Sequence, residues 1–208
     1  FLARWTGGLF CVEAVGFNRW LVNACLKAGL EIVVVDPVKL NLRMLGKKTD
    51  RRDAYEIARR LLLGDVQRNA ITYYPTEDEY GARKLVRTRH QLTSLRQHLV
   101  NQVRAVLAAY RIPAPPNQLY RPGALRSLRE IRLSNVGVDF AVQSLVSSLE
   151  AIQASIVGLS KRIEEATHRE SRAELLASLP SVGPLTATTL ACELGDLTRF
   201  RNSKALAS

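Results

Sequence analysis

Three carboxylates near the start of the chain have the residue type and spacing needed to hold a divalent cation. Glu13 ends an apolar run, and Asp50 and Asp53 stand three residues apart at the start of a helical pattern. Residues three apart share a helix face, so we expect both aspartates to point inward. Buried carboxylates are costly unless they are paired or bind a metal, and Glu13 could meet the aspartates at a sheet edge. The pattern therefore predicts a cation site that holds phosphate.

Each of these carboxylates also has an ordinary structural explanation. Glu13 could end a strand in solvent, Asp50 could cap the helix, and Asp53 could complement the helix dipole in the first turn. The metal-site hypothesis depends on the three acting together. Lys47 and Lys48, which precede the helix, are expected to contact a nucleic-acid strand beside such a site.

The patterns around these acids predict an α/β unit over residues 1–75. Two short apolar runs, Leu9–Glu13 and Glu31–Val35, flank a helical stretch over 17–28 that Gly29 should end. A strand, a helix and a second strand imply an α/β unit, with a right-handed crossover if the strands are parallel. The predicted apolar faces are Trp20, Leu21, Ala24 and Cys25 on this helix, and Ala54, Ile57, Ala58, Leu61 and Leu62 on the helix that starts near Asp50.

The cysteine and histidine positions favour neither a zinc site nor a disulfide framework. The cysteines are odd in number, far apart and surrounded by apolar residues, as expected for reduced packing residues in a cytosolic protein. The histidines lack the spacing of zinc ligands. These residues are Cys11, Cys25, Cys192, His90, His98 and His168.

The chain carries a large positive charge. It contains 30 Lys and Arg against 19 Asp and Glu, a formal net charge of +11. Such a field attracts polyanions, and nucleic acid is the leading partner. The stretch 80–129 contains no acidic residue. Within it we predict nucleic-acid contacts from Arg83, Lys84, Arg87, Arg89, Arg96 and Arg104, and the stretch also contains Arg111, Arg121, Arg126 and Arg129.

Two long helices are predicted to form a basic arm over 76–177. Apolar residues recur at threes and fours up to Tyr110, so the first helix should end before Pro113, and the prolines up to Pro122 predict a linker. The second helix is predicted over 138–177. We expect an antiparallel coiled arm, with an ordinary bundle as the alternative. The apolar stripe of the second helix is Leu145, Leu149, Ile152, Ile156, Leu159 and Ile163.

A turn with glycine and proline begins the C-terminal segment, residues 178–208. The sequence Leu179-Pro-Ser-Val-Gly-Pro-Leu-Thr-Ala leads into a helix predicted over 186–193 and resembles a helix-hairpin-helix. In that motif, backbone amides at a turn and a helix N-terminus receive a DNA phosphate. Ser181 replaces the first glycine of the motif, which leaves Gly183 and Thr186 as the predicted phosphate contacts. A plain structural turn is the alternative.

Several of these segments together resemble one family of recombinases. Glu13-Ala-Val-Gly, Val33-Val-Val-Asp-Pro and the more specific Lys48-Thr-Asp-Arg-Arg-Asp-Ala54 resemble the signature of the DEDD insertion-sequence transposases. That family is related to the pilin-gene DNA invertases and is similar in core fold to Holliday-junction resolvases. The resemblance continues through Leu85-Val-Arg-Thr-Arg to Gly195-Asp-Leu-Thr-Arg-Phe, so it covers nearly the whole chain.

The resemblance implies a fold and a metal-dependent activity. The fold would be an α/β ribonuclease-H-like (resolvase-like) core, followed by the long-helix coiled arm and the α-helical, helix-hairpin-helix-like C-terminal segment. Glu13, Asp50 and Asp53 would be three of four acids that bind Mg²⁺ or Mn²⁺ for DNA strand cleavage and transfer. The fourth acid, an aspartate, is expected before Phe1 and a serine after Ser208. Both ends look cut, so this fragment is expected to be catalytically incomplete.

The resemblance also implies partners and a location. DNA is the expected substrate, and a structured guide RNA is a further expected partner. The complete protein is expected to form a homo-oligomer in the cytoplasm of a prokaryote. No apolar run approaches the roughly twenty residues that span a bilayer, so no membrane partner is expected. Two alternatives remain open: a non-catalytic DNA- or RNA-binding remnant, and a stand-alone metal-dependent junction resolvase.

Overall fold

The computed structural model describes residues 4, 7–14, 16, 18–40, 49–66, 70–116 and 118–207. The chain divides into two units, Phe1–Tyr74 and Pro75–Ser208, and each unit has a buried apolar cluster of its own. Lys47 and Lys48, which are predicted to contact nucleic acid, lie outside the described residues.

Two short parallel strands form the centre of the first unit. β1 (Leu9–Glu13) pairs in register with β2 (Glu31–Val35) along its whole length. α1 (Arg19–Lys27) connects them, because parallel neighbours need a crossover rather than a tight turn. The predicted strand–helix–strand unit is confirmed, and its two strands are parallel. Val35 also forms an antiparallel bridge with Ile71, where the chain returns to the sheet.

The buried face of α1 differs from the predicted one. Val22 and Cys25 are both 1% exposed, whereas Trp20, predicted to lie on the buried face, is 71% exposed. Two strands present a surface only roughly 10 Å wide, so they cover one row of helix side chains rather than a broad face. The helix ends at Gly29 as predicted, and the φ of 72° there is a left-handed conformation that glycine adopts without strain.

α2 (Asp50–Leu62) lies against β1 and is covered in the same narrow way. Its buried residues are Asp53 and Ile57, and Ile57 packs in a cluster with Val35 and Leu40. The prediction of a broad apolar stripe on this helix is therefore wrong. The predicted stripe positions that are exposed are Ala54, Ala58 and Leu62.

Two long helices, α3 (Glu77–Ala109) and α5 (Val136–Arg169), make up half of the second unit. They pack side by side with opposite directions, so the predicted antiparallel pairing is confirmed. A Schellman motif ends α3 before the prolines, as predicted, with Arg111 in the left-handed conformation at φ 53°. The side-chain hydrogen bonds that show the direction join Arg89 with Ser160 and Arg96 with Gln153.

The seam that α5 presents to α3 is rotated from the predicted stripe. Leu149, Ile156 and Ile163 are buried as predicted, but the alternate seam positions hold the polar residues Gln153 and Ser160. These residues accept hydrogen bonds from arginines of α3, which explains why polar side chains occupy a helix interface. The predicted positions that are only half-buried are Leu145, Ile152 and Leu159.

α5 is also long and apolar enough, by length and composition, to cross a bilayer. This corrects the expectation that no apolar segment of the chain approaches the length that spans a bilayer. That expectation overlooked α5 because serines and glycines lie among its apolar residues. Only 22% of its most apolar stretch is buried. One such helix is weak evidence for a membrane span, and here the helix pairs with α3 through polar hydrogen bonds.

A helix that the sequence patterns did not predict, α4 (Pro122–Glu130), begins at the last proline of the predicted linker. Pro122 occupies the first helical turn, where its missing N–H costs nothing. Leu119, Leu125 and Leu128 pack into one buried cluster with α3 and α5, which we call the distal core. Proline there marks a helix start rather than a break.

The predicted helix over 138–177 is interrupted. Glu170 has extended backbone angles, so α5 ends at Arg169 and α6 (Ser171–Ala177) begins anew. The Glu170 carboxylate accepts from the Ala173 N–H at 2.6 Å and caps α6. The prediction of one continuous helix is therefore wrong. The apolar repeat continues from α5 into α6, but the side-chain cap of α6 separates the two helices.

α7 (Pro184–Leu194) packs against α3, α5 and α6. Its Cys192 lies in a buried cluster with Val86 and Ile163, which we call the proximal core. A 3₁₀ turn and the short helix α8 (Ser203–Ala207) follow. The basic arm and the C-terminal helices thus belong to the same unit.

Candidate functional site

Asp53 is a buried carboxylate on the inner face of α2. Its side chain is 6% exposed, and its backbone N–H donates to the Thr49 carbonyl at 3.1 Å. One turn later on the same face, Ile57 packs with Cys11 of β1 and Val33 of β2. Asp53 therefore points to the side of α2 that faces the sheet, as predicted.

Glu13 lies on the side of the sheet that α2 covers. It stands two residues after Cys11, and alternate residues of a strand share a face. It is half-buried at the end of β1, where its backbone carbonyl accepts a hydrogen bond from the Asn18 side chain. The structure thus places Glu13 and Asp53 toward the same layer between sheet and helix.

Asp50 does not point inward, and this part of the prediction is wrong. It is exposed on the first turn of α2, after the N-cap residue Thr49. Three residues of an α-helix return to within only about 60° of the starting direction, and the narrow sheet covers just the Asp53 row. Among the described residues, no three or more His, Cys, Asp or Glu side chains form a group that could hold a metal ion.

Arg83 and Arg87 on α3 reach the end of α7. The Arg83 Nε donates to the Cys192 carbonyl at 2.6 Å, and the Arg87 guanidinium makes two hydrogen bonds of 2.7 Å to the Glu193 carboxylate. Cations at a helix C-terminus also suit its dipole. Both arginines, predicted to contact nucleic acid, join α3 to α7. The role of Glu193 was not predicted, since it lies 106 residues from Arg87 and no local pattern links them.

The Arg87–Glu193 pair predicts a loss of stability in acid. The Arg87 guanidinium lowers the pKa of the Glu193 carboxyl from its ordinary 4.5. A lowered folded-state pKa stabilises the fold above the ordinary pKa, and this contribution disappears as pH falls through the lower value. Because Arg87 is 61% exposed, we expect at most about 1 kcal/mol. Urea unfolding of wild type and Glu193→Gln should differ at pH 7 and converge near pH 2, and a difference that persists in acid would contradict this.

Arg89 and Arg96 point across the helix pair instead of outward. The Arg89 Nε donates to the Ser160 hydroxyl at 2.8 Å, and an Arg96 NH group donates to the side-chain amide oxygen of Gln153 at 2.8 Å. The Arg96 guanidinium also lies 3.7 Å from the centre of the Tyr120 ring. The remaining residues predicted to bind nucleic acid on this helix are exposed: Lys84 and Arg104.

The turn between α6 and α7 has the backbone of a glycine-containing hairpin. Ser181 has a φ of 66°, the left-handed conformation expected of the glycine it replaces. Gly183 is the N-cap of α7, no side chain caps that helix, and Thr186 is exposed in its first turn. The predicted contacts Gly183 and Thr186 thus stand at an uncapped helix N-terminus, which is where a phosphate would bind.

Comparison with protein families identifies the chain. Residues 8–112 match a model of IS110 transposases, described as "Transposase", and residues 173–208 match one described as "Transposase IS116/IS110/IS902 family". The chain belongs to the IS110 family of insertion-sequence transposases. In this IS110-family chain, the first match contains all three predicted carboxylates, and the second contains the hairpin at Ser181.

Three relatives match almost the whole chain. The "Probable family 20 transposase" of Pseudomonas aeruginosa is 21% identical over 96% of the chain and 59% of its own length. A Sinorhizobium fredii protein with the name transposase y4qE is 29% identical over 95% and 47%. The "Transposase for insertion sequence element IS1111A" of Coxiella burnetii is 22% identical over 97% and 55%. This IS110-family chain thus spans about half the length of these relatives.

Ser181 in the IS110-family hairpin predicts a stabilising substitution. A non-glycine residue in the left-handed region costs about 1 kcal/mol, so Ser181→Gly should raise the free energy of unfolding by about 0.5–1 kcal/mol. Guanidinium denaturation measures the change. Ser178→Gly is the matched control, since Ser178 has right-handed helical angles and glycine there should destabilise. If both variants changed stability in the same direction, strain at Ser181 would not be the cause.

Proposed function

We propose that this chain is part of a metal-dependent recombinase that cleaves and transfers DNA strands at the ends of an insertion sequence. The observation that carries the proposal is the burial of Asp53 between α2 and the sheet, with Glu13 on the same side of that sheet. Buried ionisable groups concentrate at functional sites. Membership of a transposase family supplies the reaction class.

Glu13, Asp50 and Asp53 would hold Mg²⁺ or Mn²⁺, because these ions prefer carboxylate oxygen ligands. The bound ion would stabilise charge on the oxygens of the DNA phosphodiester. Asp53 would contribute from the buried side and Asp50, exposed one turn earlier, from the solvent side. A ribonuclease-H-like, resolvase-like fold is part of this proposal, and the parallel β1–α1–β2 unit supports it.

The proposed partners are DNA, a structured guide RNA and further copies of the protein. The net charge of +11 supports binding to a polyanion, and exposed arginines recognise phosphate without requiring one sequence. The uncapped start of α7 at Gly183 supports a phosphate contact by backbone amides, with Thr186 beside it. A cytoplasmic location in a prokaryote follows from an activity on the cell's DNA.

Binding of Mn²⁺ to the 208-residue chain tests the metal site. Asp53→Asn keeps the size of the side chain and removes the charge, and we expect it to weaken Mn²⁺ binding at least about tenfold, as loss of metal-site groups typically does. Glu13→Gln should act in the same direction. Isothermal titration, or the loss of the free-ion electron-paramagnetic-resonance signal, measures the affinity.

Asp65→Asn is the matched control, since Asp65 is an exposed acid in the same unit. It removes the same charge from a position outside the proposed site and should leave Mn²⁺ affinity unchanged. Equal effects of Asp53→Asn and Asp65→Asn would mean that general electrostatics, and not a specific site, accounts for the change in Mn²⁺ affinity. Unchanged affinity in both Asp53→Asn and Glu13→Gln would refute the site.

A second candidate function is a non-catalytic nucleic-acid-binding module. The exposure of Asp50 favours it, as does the lack, among the described residues, of three grouped metal-binding side chains. In that case Asp50 and Asp53 act only on the start of α2, and nucleic-acid binding is independent of divalent ions. The same Mn²⁺ titration separates the two candidates, because the module would show no saturable binding that depends on Asp53.

A further inference from the structure

We infer that a groove at the distal end of the α3–α5 pair binds a single strand of nucleic acid. The groove has a volume of about 840 Å³ and lies between α5 and the segment that leads into α4. Its size is in the range of sites that enclose small organic groups. This inference rests on the proposed nucleic-acid function but not on the metal site. The residues that matter are Tyr120, Arg121, Arg126, Glu150, Gln153 and Val157.

Two arginines on the groove wall are available to an anion. Arg121 and Arg126 are exposed, and neither side chain has a hydrogen bond or ion pair with another described residue. They differ in this respect from Arg83, Arg87 and Arg89 of α3, which join helices. Arg121 and Arg126 are therefore free to contact phosphate at the distal end of the pair.

The acid on the wall, Glu150, does not repel a phosphate strongly. Its carboxylate receives two hydrogen bonds from Arg129, at 3.1 and 2.5 Å. The Arg129 guanidinium holds the pKa of the Glu150 carboxyl below its usual value, so the pair is neutral overall at physiological pH. The wall thus keeps the positive charge of Arg121 and Arg126.

The start of α4 adds a helix dipole to these charges. Arg121 and Pro122, its N-cap and first residue, both line the groove. Among the described residues no side chain caps this nine-residue helix, and its first turn contains no acid. The positive end of the helix dipole therefore favours an anion at this position. Two arginines and an uncapped helix start therefore converge on one wall.

The rest of the groove lining suits a flat, weakly polar group such as a nucleobase. Tyr120 presents an aromatic ring that the Arg96 guanidinium supports from one side at 3.7 Å. Val157 is 59% exposed beside it, and Gln153 can hydrogen-bond a base edge. Arg96 Nε is buried without an acceptor among the described residues, so the layer behind the ring retains an unused donor.

The combination of features favours a single strand over a duplex. Aromatic rings next to arginines bind bases and phosphates of unpaired strands, and such contacts tolerate many sequences. Bases within a duplex are stacked and cannot enter a concave groove. The expected occupant is one or two nucleotides of an unpaired DNA or RNA segment, with a phosphate at Arg121 and Arg126 and a base against Tyr120.

Fluorescence anisotropy with the 208-residue chain tests the inference. The probes are oligo(dT), oligo(rU) and a DNA duplex of equal length, each titrated at several salt concentrations. Arg121→Ala/Arg126→Ala should weaken single-strand binding about tenfold or more. It should also reduce the slope of log affinity against log salt by about 1.4, because each phosphate that an arginine neutralises on a single strand accounts for about 0.7. The DNA and RNA probes show which kind of strand binds more tightly.

The matched control is Lys161→Ala/Arg201→Ala, which removes the same charge from exposed positions outside the groove. An equal loss of affinity in this control would overturn the inference, since net charge alone would then explain binding. Equal or stronger binding of the duplex, with the same dependence on Arg121 and Arg126, would also overturn it.

Photo-crosslinking locates the strand directly. A 5-bromouracil-containing strand irradiated on the wild-type chain should crosslink to Tyr120, as mapped by mass spectrometry. Crosslinks elsewhere but none within 118–126 would overturn the assignment even if affinity fell. These readouts need no divalent ion, so they are independent of Asp53. Failure of the groove leaves the metal proposal intact, and loss of Mn²⁺ binding leaves the groove result intact.

Discussion

Leu128→Ala is expected to lower the free energy of unfolding by about 3 kcal/mol. Leu128 is fully buried in the distal core, and shortening a buried leucine costs about 2–5 kcal/mol because transfer energy is lost and a residual cavity remains. Urea or guanidinium denaturation followed by circular dichroism measures the change. An unpacked segment after the predicted proline linker would make this substitution nearly silent.

Leu175→Ala is the matched control for Leu128. Leu175 lies in α6, is 71% exposed, and its truncation should change stability by less than about 0.5 kcal/mol. If Leu128→Ala were as mild as Leu175→Ala, α4 would not be a packed part of the second unit. The groove inferred beside α4 would then lose its rigid wall.

Arg96→Ala is expected to destabilise the chain by about 2 kcal/mol, and Arg96→Met by much less. Alanine removes the hydrogen bond to Gln153, the contact with the Tyr120 ring and the packing of the arginine stem. Both substitutions remove the buried Nε donor that has no acceptor among the described residues, but only methionine restores most of the packing. Chemical denaturation of the three proteins gives the comparison.

Arg104→Ala serves as the control on the same helix. Arg104 is exposed, so its loss should leave stability within about 0.5 kcal/mol. Comparison of Arg96→Ala with Arg104→Ala distinguishes an arginine that stabilises the helix pair from one on the surface. If Arg96→Ala left stability intact and weakened nucleic-acid binding instead, the prediction that Arg96 contacts nucleic acid would hold and its role in the helix pair would be refuted.

The predicted inward direction of Asp53 is confirmed, because a single helix face decides it. Asp53 is buried because it shares the Ile57 row of α2, and Glu13 shares the face of Cys11 on β1. Asp50 failed because helical spacing shows which residues are neighbours but not how wide the opposing surface is. The metal-binding roles of these residues stay predictions until ion binding is measured.

The nucleic-acid predictions depended on charge, and charge alone does not distinguish arginines that bind a partner from those that bind the protein itself. Arg87 and Arg89 lie in the same basic, acid-free stretch as Arg126, yet they contact Glu193 and Ser160. Those acceptors are 106 and 71 residues away along the chain. Only the paired helices bring them together, so sequence windows could not separate the two groups.

By itself the sequence determined the β1–α1–β2 unit, the two long helices and their antiparallel pairing, and it pointed to the correct family. These features follow from short-range patterns: apolar runs of strand length, repeats at threes and fours, and glycine or proline at ends. The tertiary structure alone decided the α5 seam, the break at Glu170, the helix that starts at Pro122 and the exposure of Asp50. Each of these depends on the width and chemistry of an opposing surface, which is set by residues distant in the chain.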